Sequence, residues 1–227
     1  MREVVLDTET TGLDYTKGDR IIEVGCVELI NHLPTGNSFQ FYCSTSKKIS
    51  EEAQNVHGLS NEFLKKFPDF RSQAKNFLDF IKKDKLIIHN AKFDVGFINN
   101  ELKISGLDKI DNEVVDTTIL ARKVLGTRLV NLDFLCRKFS IDIEKRKLHG
   151  ALLDSQLLSE VYLELVGGRQ TSMSLLNNKN QQLKKEDFQK QKKTNHVKKI
   201  NITEEEIKKH KEFLSKIQKP VWLNFKY

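Results

Sequence analysis

Apolar residues along the chain fall into two patterns, short runs that predict β-strands and wider spacings that predict α-helices. The runs "EVVLD", "RIIEVGCVELI" and "SFQFYC" predict three successive strands, with "LPTG" as the turn between the second and the third. Two later runs, "KLIIHN" and "EVVDT", each predict a strand that is followed by helical spacing. Three consecutive strands followed by strand–helix alternation predict an α/β fold, in which helices cover a mixed sheet.

Several segments carry apolar residues at the spacing of one helix face. They are "NEFLKKFPDF", "RSQAKNFLDFIKK", "AKFDVGFINNELKIS", "TILARKVLG", "NLDFLCRKF" and "ALLDSQLLSEVYLELVGG". Pro68 is expected to break the first helical region, and Gly126 to end the helix of "TILARKVLG". The stretch "SEEAQNVHG" is expected to be a surface loop with a turn at Gly58. A folded domain over residues 1–168 follows from these elements.

The composition changes after Gly168. Residues 169–202 are polar and rich in lysine and glutamine, which predicts a flexible basic linker. In "TEEEIKKHKEFLSKI" the spacing of Thr203 and Glu206 is that of a capping box, and it predicts a helix. This short amphipathic helix and the aromatic "VWLNFKY" cannot bury themselves. The segment 203–227 is therefore expected to dock on a partner.

The net charge of +7 is concentrated in the tail. Residues 1–168 contain 23 Lys and Arg against 25 Asp and Glu, whereas residues 169–227 contain 15 against 6. A basic tail is either a solvated spacer or a segment attracted to nucleic acid or to an acidic protein surface. The sequence shows no apolar run of membrane-spanning length and no leader at its start. Three scattered cysteines, Cys26, Cys43 and Cys136, fit buried or free thiols, so a soluble cytoplasmic protein is expected.

Four carboxylates stand at the ends of apolar elements. Asp7 and Glu9 are two residues apart on one strand, so they share a face, whereas Thr8 and Thr10 are expected to pack on the other face. Asp94 begins a helix that follows a buried strand, and Asp154 lies near the start of the last long helix of the domain. Carboxylates that converge on one cleft repel one another unless cations lie between them. Hard oxygen ligands of this kind favour Mg²⁺ or Mn²⁺.

Each of these features has a simpler explanation when it is taken alone. An acidic pair on a strand is more often a sheet edge or a salt-bridge partner, and an acid such as Asp94 can simply favour a helix N-terminus. His149, which precedes the last helix, can be an ordinary loop histidine. The order and spacing of all five residues together favour a catalytic site, and two cations held in such a site can assist phosphodiester hydrolysis.

Three stretches, "LDTETTGL", "HNAKFDVGFI" and "LHGALLDS", resemble in this order the three exonuclease motifs of the DEDDh family of 3′→5′ exonucleases. The resemblance covers about residues 1–168. Within that family the chain is most similar to the epsilon, or proofreading, subunits of bacterial DNA polymerase III. The stretches "GDRIIEVG", "VHGLSNEFL", "NLDFLCRKF" and "YLELVGGRQTSM" carry this closer similarity. The resemblance implies an RNase H-like fold with a five-stranded mixed sheet, and removal of mispaired 3′-terminal deoxynucleotides by two-metal hydrolysis.

The resemblance also implies a role for each site residue. Asp7 is expected to bridge two divalent cations, Mg²⁺ or Mn²⁺, while Glu9 and Asp154 complete the site of the ion that activates the nucleophile. Asp94 is expected to support the second ion through bound water. His149 is expected to be the general base, since an imidazole titrates near neutral pH.

The stretch "SEEAQNVHG" supplies two further candidates. By the same resemblance, Glu52 and His57 are expected to contact the 3′-terminal nucleotide of DNA, alongside Asp7, Glu9 and Asp154. The alternative is that Glu52 and His57 are ordinary surface-loop residues. The resemblance, more than the chemistry of the two side chains, favours contact with the substrate.

The tail is expected to bind two proteins of the replication machinery. "QTSMSL", residues 170–175, resembles the short peptides that dock on bacterial sliding clamps. The segment 203–227 is expected to bind the alpha subunit of DNA polymerase III. A flexible linker between them raises the local concentration of the exonuclease near the primer end. The expected location is the cytoplasm, at the replisome on the bacterial nucleoid.

Two other functions are compatible with the same active site. One is an exonuclease that trims RNA or oligoribonucleotides, which the active site does not distinguish from a DNA exonuclease. The tail argues against it, because an RNA trimmer has little use for a clamp-like peptide and a tethered aromatic segment. The other is a non-catalytic scaffold subunit of the polymerase, which the complete set of acidic residues and His149 argues against.

Overall fold

The computed structural model describes residues 1–144, 146, 148–167 and 203–216. The chain divides into two compact units, Met1–Leu175 and Leu176–Tyr227. The strands of the first unit are β1 (Arg2–Thr10), β2 (Ile21–Ile30), β3 (Leu33–Tyr42), β4 (Lys85–Ile88) and β5 (Val114–Asp116). Its helices are α1 (Glu51–His57), α2 (Asn61–Leu64), α3 (Phe70–Ile81), α4 (Ala91–Ile104), α5 (Thr117–Leu125), α6 (Leu132–Lys138) and α7 (Ala151–Leu165), with a short 3₁₀ helix at Tyr15–Lys17.

The strands form one mixed five-stranded sheet in the order β3-β2-β1-β4-β5. β1, β2 and β3 are antiparallel neighbours, whereas β4 runs parallel to β1 and β5 runs parallel to β4. The carboxyl ends of β1, β4 and β5 therefore meet at one edge of the sheet, which is where open α/β sheets bind their ligands. The predicted α/β architecture is confirmed.

Alternate residues of β1 face two different hydrophobic cores. Val4 and Leu6 belong to the core formed with α3 and α4, which includes Phe77 and Phe97. Val5 belongs to the core on the other face of the sheet, formed with α6 and α7. Because side chains alternate along a strand, the face of Val5 is also the face of Asp7 and Glu9.

Most helices of this unit begin at a polar side chain that accepts a hydrogen bond from a backbone amide of the first turn. These side chains are those of Ser50, Ser60, Asp69, Asp116 and Asn131, for α1, α2, α3, α5 and α6 respectively. α4 and α7 follow Asn90 and Gly150 and have no such cap. The two helices without a local cap are those that carry Asp94 and Asp154 in their first turns.

The predicted turn at "LPTG" is wrong. These residues form the first part of β3, and the turn lies at Asn31 and His32, whose φ angles are 51° and 69°. Pro34 is tolerated in the strand because β3 is at the edge of the sheet. β1 also continues to Thr10, beyond the predicted end of the first strand at Asp7.

The stretch "SEEAQNVHG" is a helix, and the predicted loop is wrong. Ser50 caps α1 by accepting from the backbone N–H of Ala53, and Glu51 and Glu52 lie in its first turn. Acidic residues in the first turn favour a helix through its dipole. Gly58, with a φ of 72°, ends α1 in the left-handed conformation.

The described part of the second unit is a helix, α8 (Glu204–Ser215). Thr203 and Glu206 form the capping box in both directions, as the sequence predicts. The whole linker 169–202, with the clamp-like peptide 170–175, and the aromatic end of the chain lie outside the described residues, so the proposed domain boundaries stay predictions. No helix of the described ranges is long and apolar enough to cross a membrane. The three cysteines are buried and free, as predicted.

Candidate active site

Asp7 and Glu9 lie at the carboxyl end of β1, on the face of the sheet that α7 covers. The antiparallel register pairs Asp7 with Gly25 of β2 and Glu9 with Glu23, and it shifts between Glu9 and Thr10. Glu9 is buried, whereas Asp7 is partly exposed. The two carboxylates share a face, as the alternation along the strand predicts.

Asp94 reaches the same edge of the sheet from α4, which begins just after β4. Its side chain is buried, and its Oδ1 accepts a hydrogen bond of 2.7 Å from the hydroxyl of Thr8. Thr8 therefore does more than pack, which is all that the sequence predicts for it. The backbone N–H of Ala91 donates to Asp116 Oδ2 at 3.0 Å, so a carboxylate at the end of β5 supplies the cap that α4 lacks locally.

The start of α7 lies directly on β2 at Gly25. A Cβ at this position would meet the backbone of Ala151 and Leu152 at 2.3 Å, so only glycine permits this approach. Ser155 fixes the contact by donating its hydroxyl to the carbonyl oxygen of Gly25 at 3.0 Å. Because Gly25 is opposite Asp7 in the sheet, this packing brings Asp154, in the first turn of α7, to the end of β1.

Glu23 takes the place of a local cap for α7. Its side chain is 2 % exposed and interacts with the backbone amides of Ala151 and Leu152 and with the side chain of Gln40. A carboxylate satisfies amides that a helix start otherwise leaves unpaired. Both helices that deliver an acid to the site are thus held by a carboxylate from a neighbouring strand.

Arg146 stands shortly before α7 in the chain, and its side chain, which is 6 % exposed, lies in the site. Its Nε and Nη2 donate to Oδ1 and Oδ2 of Asp154 at 2.6 and 2.7 Å. Its Nη1 bonds to Asp133 of α6, and its Nη2 lies 2.8 Å from His149 Nδ1. His149 Nδ1 is also 3.1 Å from Asp154 Oδ2. The predicted base therefore lies beside the predicted metal ligand.

α1 forms a wall next to His149. The backbone N–H of His149 donates to the carbonyl oxygen of Val56 at 3.0 Å. His57, 5 % exposed, accepts at Nδ1 from the backbone N–H of Leu59 at 3.0 Å, which leaves the ring proton on Nε2. His57 Nε2 is buried and, in the described part of the chain, makes no hydrogen bond of good geometry, although the backbone of Thr10 lies near the ring and acts to raise its pKa. Glu52 is exposed on the same helix.

Burial and mutual repulsion raise the pKa of three of the carboxylates. Burial, followed by the charges of Asp94 and Glu9, raises the pKa of Asp7 well above its usual range. Burial, with Asp154 and Glu23 nearby, raises the pKa of Glu9 to about 8. Burial also raises the pKa of Asp94 to about 7, although the Thr8 hydroxyl opposes the change. Raised pKa values of this kind are typical of buried acids whose charge is not compensated by a nearby cation.

Asp154 is the exception. Burial acts to raise its pKa, but the hydrogen bonds and charges of Arg146 and His149 outweigh burial and hold the pKa below its ordinary value. Burial is the main influence on His57: it lowers the pKa of the imidazole and keeps the ring neutral near pH 7. Asp7, Glu9 and Asp94 thus hold a proton to higher pH than ordinary carboxylic acids, whereas Asp154 loses its proton at lower pH.

The donor set fits divalent cations. Glu9, His149 and Asp154 each offer a ligand atom, and these atoms lie within 4.8 Å of one another. Asp7 and Asp94 are not members of this group, but their charges act on the same carboxylates. A cluster of oxygen ligands in which burial, reinforced by mutual repulsion, disfavours the ionised carboxylates is a site that Mg²⁺ or Mn²⁺ can neutralise. The structure therefore brings together all five residues of the predicted catalytic set.

The sequence pattern predicts no role in the site for three residues that contact it, namely Thr8, Glu23 and Arg146. Their contacts join parts of the chain that lie far apart, except for Arg146, which is eight residues from Asp154. The one available hint was the position of Glu23 in "RIIEVG", where a charged residue interrupts an apolar strand.

Comparison with known proteins gives a family and two groups of relatives. The family model RNase_T, described as "Exonuclease", matches residues 4–162. The "DNA polymerase III subunit epsilon" of Rickettsia conorii is 43% identical over 231 residues, which cover 98% of this chain and 99% of that protein. The protein of the same name from Escherichia coli is 40% identical over 229 residues, covering 96% of this chain and 94% of its own length.

Solved structures share the fold at lower identity. Exonuclease X in complex with 5′ overhanging duplex DNA superposes with a TM-score of 0.59 at 20% identity, covering 73% of this chain and 91% of that one. The nuclease domain of 3′hExo, a DEDDh family member bound to rAMP, gives a TM-score of 0.64 at 18% identity, with the same two coverages. At these identities the likeness concerns the fold alone, and it agrees with the predicted RNase H-like sheet.

Proposed function

The chain belongs to the RNase_T exonuclease family, and we propose that it is a proofreading subunit of a bacterial DNA polymerase III, which removes mispaired nucleotides from the 3′ end of DNA. The observation that carries this proposal is the convergence of Asp7, Glu9, Asp94 and Asp154 with His149 at one edge of the sheet. A scaffold without activity does not need a buried group of repelling carboxylates, which costs stability. The proposed location is the bacterial cytoplasm, at the replisome.

The site depends on divalent cations, and the residues divide between two of them in our proposal. Asp7, Glu9 and Asp154 would hold one ion, and Asp7 and Asp94 would hold the other, with Asp94 acting through bound water. When bound, Mg²⁺ or Mn²⁺ at such a pair of sites activates the attacking water and stabilises the leaving oxygen. Thr8 keeps Asp94 in place through its hydroxyl.

His149 takes the proton of the attacking water in this scheme. Asp154 Oδ2 lies 3.1 Å from Nδ1, so an Nδ1–H that donates there leaves Nε2 as the proton acceptor. As that proton passes to Nε2, the water oxygen bonds to phosphorus and the bond from phosphorus to the 3′ oxygen of the preceding nucleotide breaks. The 3′ oxygen takes up a proton from solvent, and a mononucleotide leaves. The exposed position of His149 beside α1 gives water access to the ring.

α1 holds the terminal nucleotide in our proposal. The buried Nε2–H of His57 makes no hydrogen bond of good geometry, although the backbone of Thr10 lies near it, and a nucleotide oxygen can accept it. Glu52 is exposed on the same helix, and in our proposal it accepts a hydrogen bond from the hydroxyl of the terminal deoxyribose. Since His149 bonds to the backbone of α1, binding of the nucleotide and placement of the base are mechanically linked.

The proposal predicts which polymer the protein degrades. With Mg²⁺, the full chain is expected to release the 3′-terminal nucleotide from an end-labelled primer–template, faster for a mispaired than for a paired end because only a frayed strand enters the cleft. An RNA oligomer of the same sequence, present in the same reaction, is expected to be cut more slowly. Denaturing electrophoresis of both labelled strands measures the two rates. Faster loss of RNA would replace the proposal with the RNA-trimming alternative.

The tail carries the replication partners in our proposal. Relatives that match nearly the whole chain are subunits of DNA polymerase III, so the match extends over the tail as well as the exonuclease domain. The segment 203–227, which includes the capped helix α8, binds the alpha subunit, and residues 170–175 bind the sliding clamp. The linker between them sets the effective concentration of the active site near the primer end.

Two deletion variants separate the role of the segment 203–227 from that of the linker. A chain that ends at residue 202 is expected to lose binding to the polymerase alpha subunit while it keeps full exonuclease activity on a single-stranded end. A chain that lacks residues 184–199 is expected to keep alpha binding, since residues 203–227 are the proposed polymerase contact and the deleted stretch serves as a spacer in this proposal. Size-exclusion chromatography with purified alpha measures complex formation. Retained binding by the first truncation would place the polymerase interface on the exonuclease domain.

A further inference from the structure

Arg146 makes contacts that the proposed mechanism does not use. Both carboxylate oxygens of Asp154 accept hydrogen bonds from its guanidinium, through Nε and Nη2. Within residues 1–144, 146 and 148–167, Arg146 is the only Lys or Arg that pairs with any of Asp7, Glu9, Asp94 and Asp154. A fork-shaped, doubly hydrogen-bonded pair of this kind is the strongest ion pair that side chains form.

These contacts conflict with the binding of a cation. Each oxygen of Asp154 keeps a further lone pair beside the guanidinium, so the conflict is one of charge: a divalent ion bound to Asp154 lies next to the guanidinium and repels it. An arginine cannot relieve this repulsion by losing its proton, because its pKa is far above neutral and is raised further here by Asp154. Arg146 must therefore move away from Asp154 when a cation arrives.

The contact between Arg146 and His149 also conflicts with the proposed mechanism. Arg146 Nη2 only donates, so Nδ1 of His149 accepts when the two are bonded at 2.8 Å. The ring proton is then on Nε2, and the ring has no lone pair left for the proton of an attacking water. When Arg146 withdraws, Nδ1 can instead donate to Asp154 Oδ2, 3.1 Å away, and Nε2 becomes the acceptor.

Asp133 offers Arg146 a second place to bind. This residue of α6 is 42 % exposed and already bonds to Nη1 of Arg146. A guanidinium that turns about this contact can leave Asp154 and keep one carboxylate partner. Arg146 thus has two carboxylate partners, Asp154 inside the site and Asp133 at its rim.

We propose that Arg146 competes with the catalytic cation for Asp154, and that Asp133 holds Arg146 aside when the cation binds. Arg146 thereby neutralises the acidic site before a cation binds and keeps His149 in a tautomer that cannot act as a base. The site becomes competent only when cation binding displaces the guanidinium. This inference rests on the metal site of the proposed function.

Titration of the full-length protein with Mn²⁺, after removal of metal ions with EDTA and dialysis, tests the competition directly. Electron paramagnetic resonance of free Mn²⁺ gives the dissociation constant without any activity measurement. Arg146→Gln is expected to bind Mn²⁺ about tenfold more tightly, because the competing ion pair is gone. Asp133→Asn is expected to bind about threefold more weakly, because Arg146 then has only Asp154 as a carboxylate partner.

Arg137→Gln is the matched control, since Arg137 is exposed on α6 and reaches Asp133 at 3.9 Å but not Asp154. Its Mn²⁺ affinity is expected to equal that of the wild type. If Arg146→Gln does not fold, Arg146→Lys keeps the charge, loses the double hydrogen bond and is expected to bind Mn²⁺ more tightly than the wild type. Unchanged or weaker binding by the Arg146 variants overturns the competition. A wild type that binds no Mn²⁺ overturns the metal site of the proposed function instead.

Discussion

Replacing Asp7 by asparagine is expected to abolish nucleotide release and at the same time to stabilise the metal-free protein. The amide keeps the shape of the carboxylate but has no charge with which to bridge two cations, so the rate is expected to fall on the order of 10³-fold. Burial, followed by the charges of Asp94 and Glu9, acts against an ionised Asp7, as its raised pKa shows. Folding of the wild type near neutral pH must therefore protonate Asp7 or bury its charge, a cost that asparagine avoids, so the unfolding midpoint in urea with EDTA is expected to rise.

The opposite signs of the two effects make this prediction specific. A variant that merely damages the fold loses activity and stability together, whereas a variant that removes a functional carboxylate loses only activity. Asp79→Asn on the exposed face of α3 is the matched control, and both quantities are expected to stay at wild-type values. Rates come from release of a mispaired 3′ nucleotide with Mg²⁺. Full activity of Asp7→Asn would show that Asp7 is not a metal ligand.

The part of the site that could be predicted is the part that local pattern determines. Asp7 and Glu9 share a face because strand side chains alternate, and Asp94 and Asp154 sit in first turns because helices begin after a strand or a glycine. The helix α1 was missed, although Ser50 and Gly58 mark its two ends, because the stretch has few apolar residues to reveal a helical period. The turn at Asn31 and His32 was misplaced for a different reason.

That turn shows how tertiary structure overrides a local preference. Pro34 and Gly36 are strong turn residues, and they sit in a strand only because β3 is an edge strand whose outer amides need no partner. The cap that Glu23 gives to α7, and the hydrogen bond from Thr8 to Asp94, join residues more than eighty positions apart. No period or spacing encodes such contacts, so they emerge only when the sheet and helices are assembled.

The stability of the metal-free protein is expected to fall as the pH rises from about 5 to 8, and Glu9 is one identifiable cause. Burial, then Asp154 and Glu23, raise the pKa of Glu9 from 4.5 to about 8 in the folded state. Between these two values the folded state binds more protons than the unfolded state, so the free energy of unfolding decreases as pH increases. Glu9→Gln carries no charge at any pH. Its stability relative to the wild type is therefore expected to increase by roughly 2–3 kcal/mol from pH 5 to 8.

Asp154→Asn provides the comparison of opposite sign. Since Arg146 and His149 outweigh burial and lower the pKa of Asp154, its ionised form stabilises the fold above the unfolded pKa, and that contribution is lost only as the pH falls below about 4. Asp154→Asn is thus expected to be destabilised by the same amount at pH 5 and at pH 8. Urea unfolding in EDTA at several pH values measures both variants, and saturating Mn²⁺ is expected to remove the pH trend of Glu9→Gln because the cation supplies the missing charge. A Glu9→Gln difference that stays constant from pH 5 to 8 would mean that Glu9 is ionised throughout, and that the carboxylates of this site do not repel one another as the structure indicates.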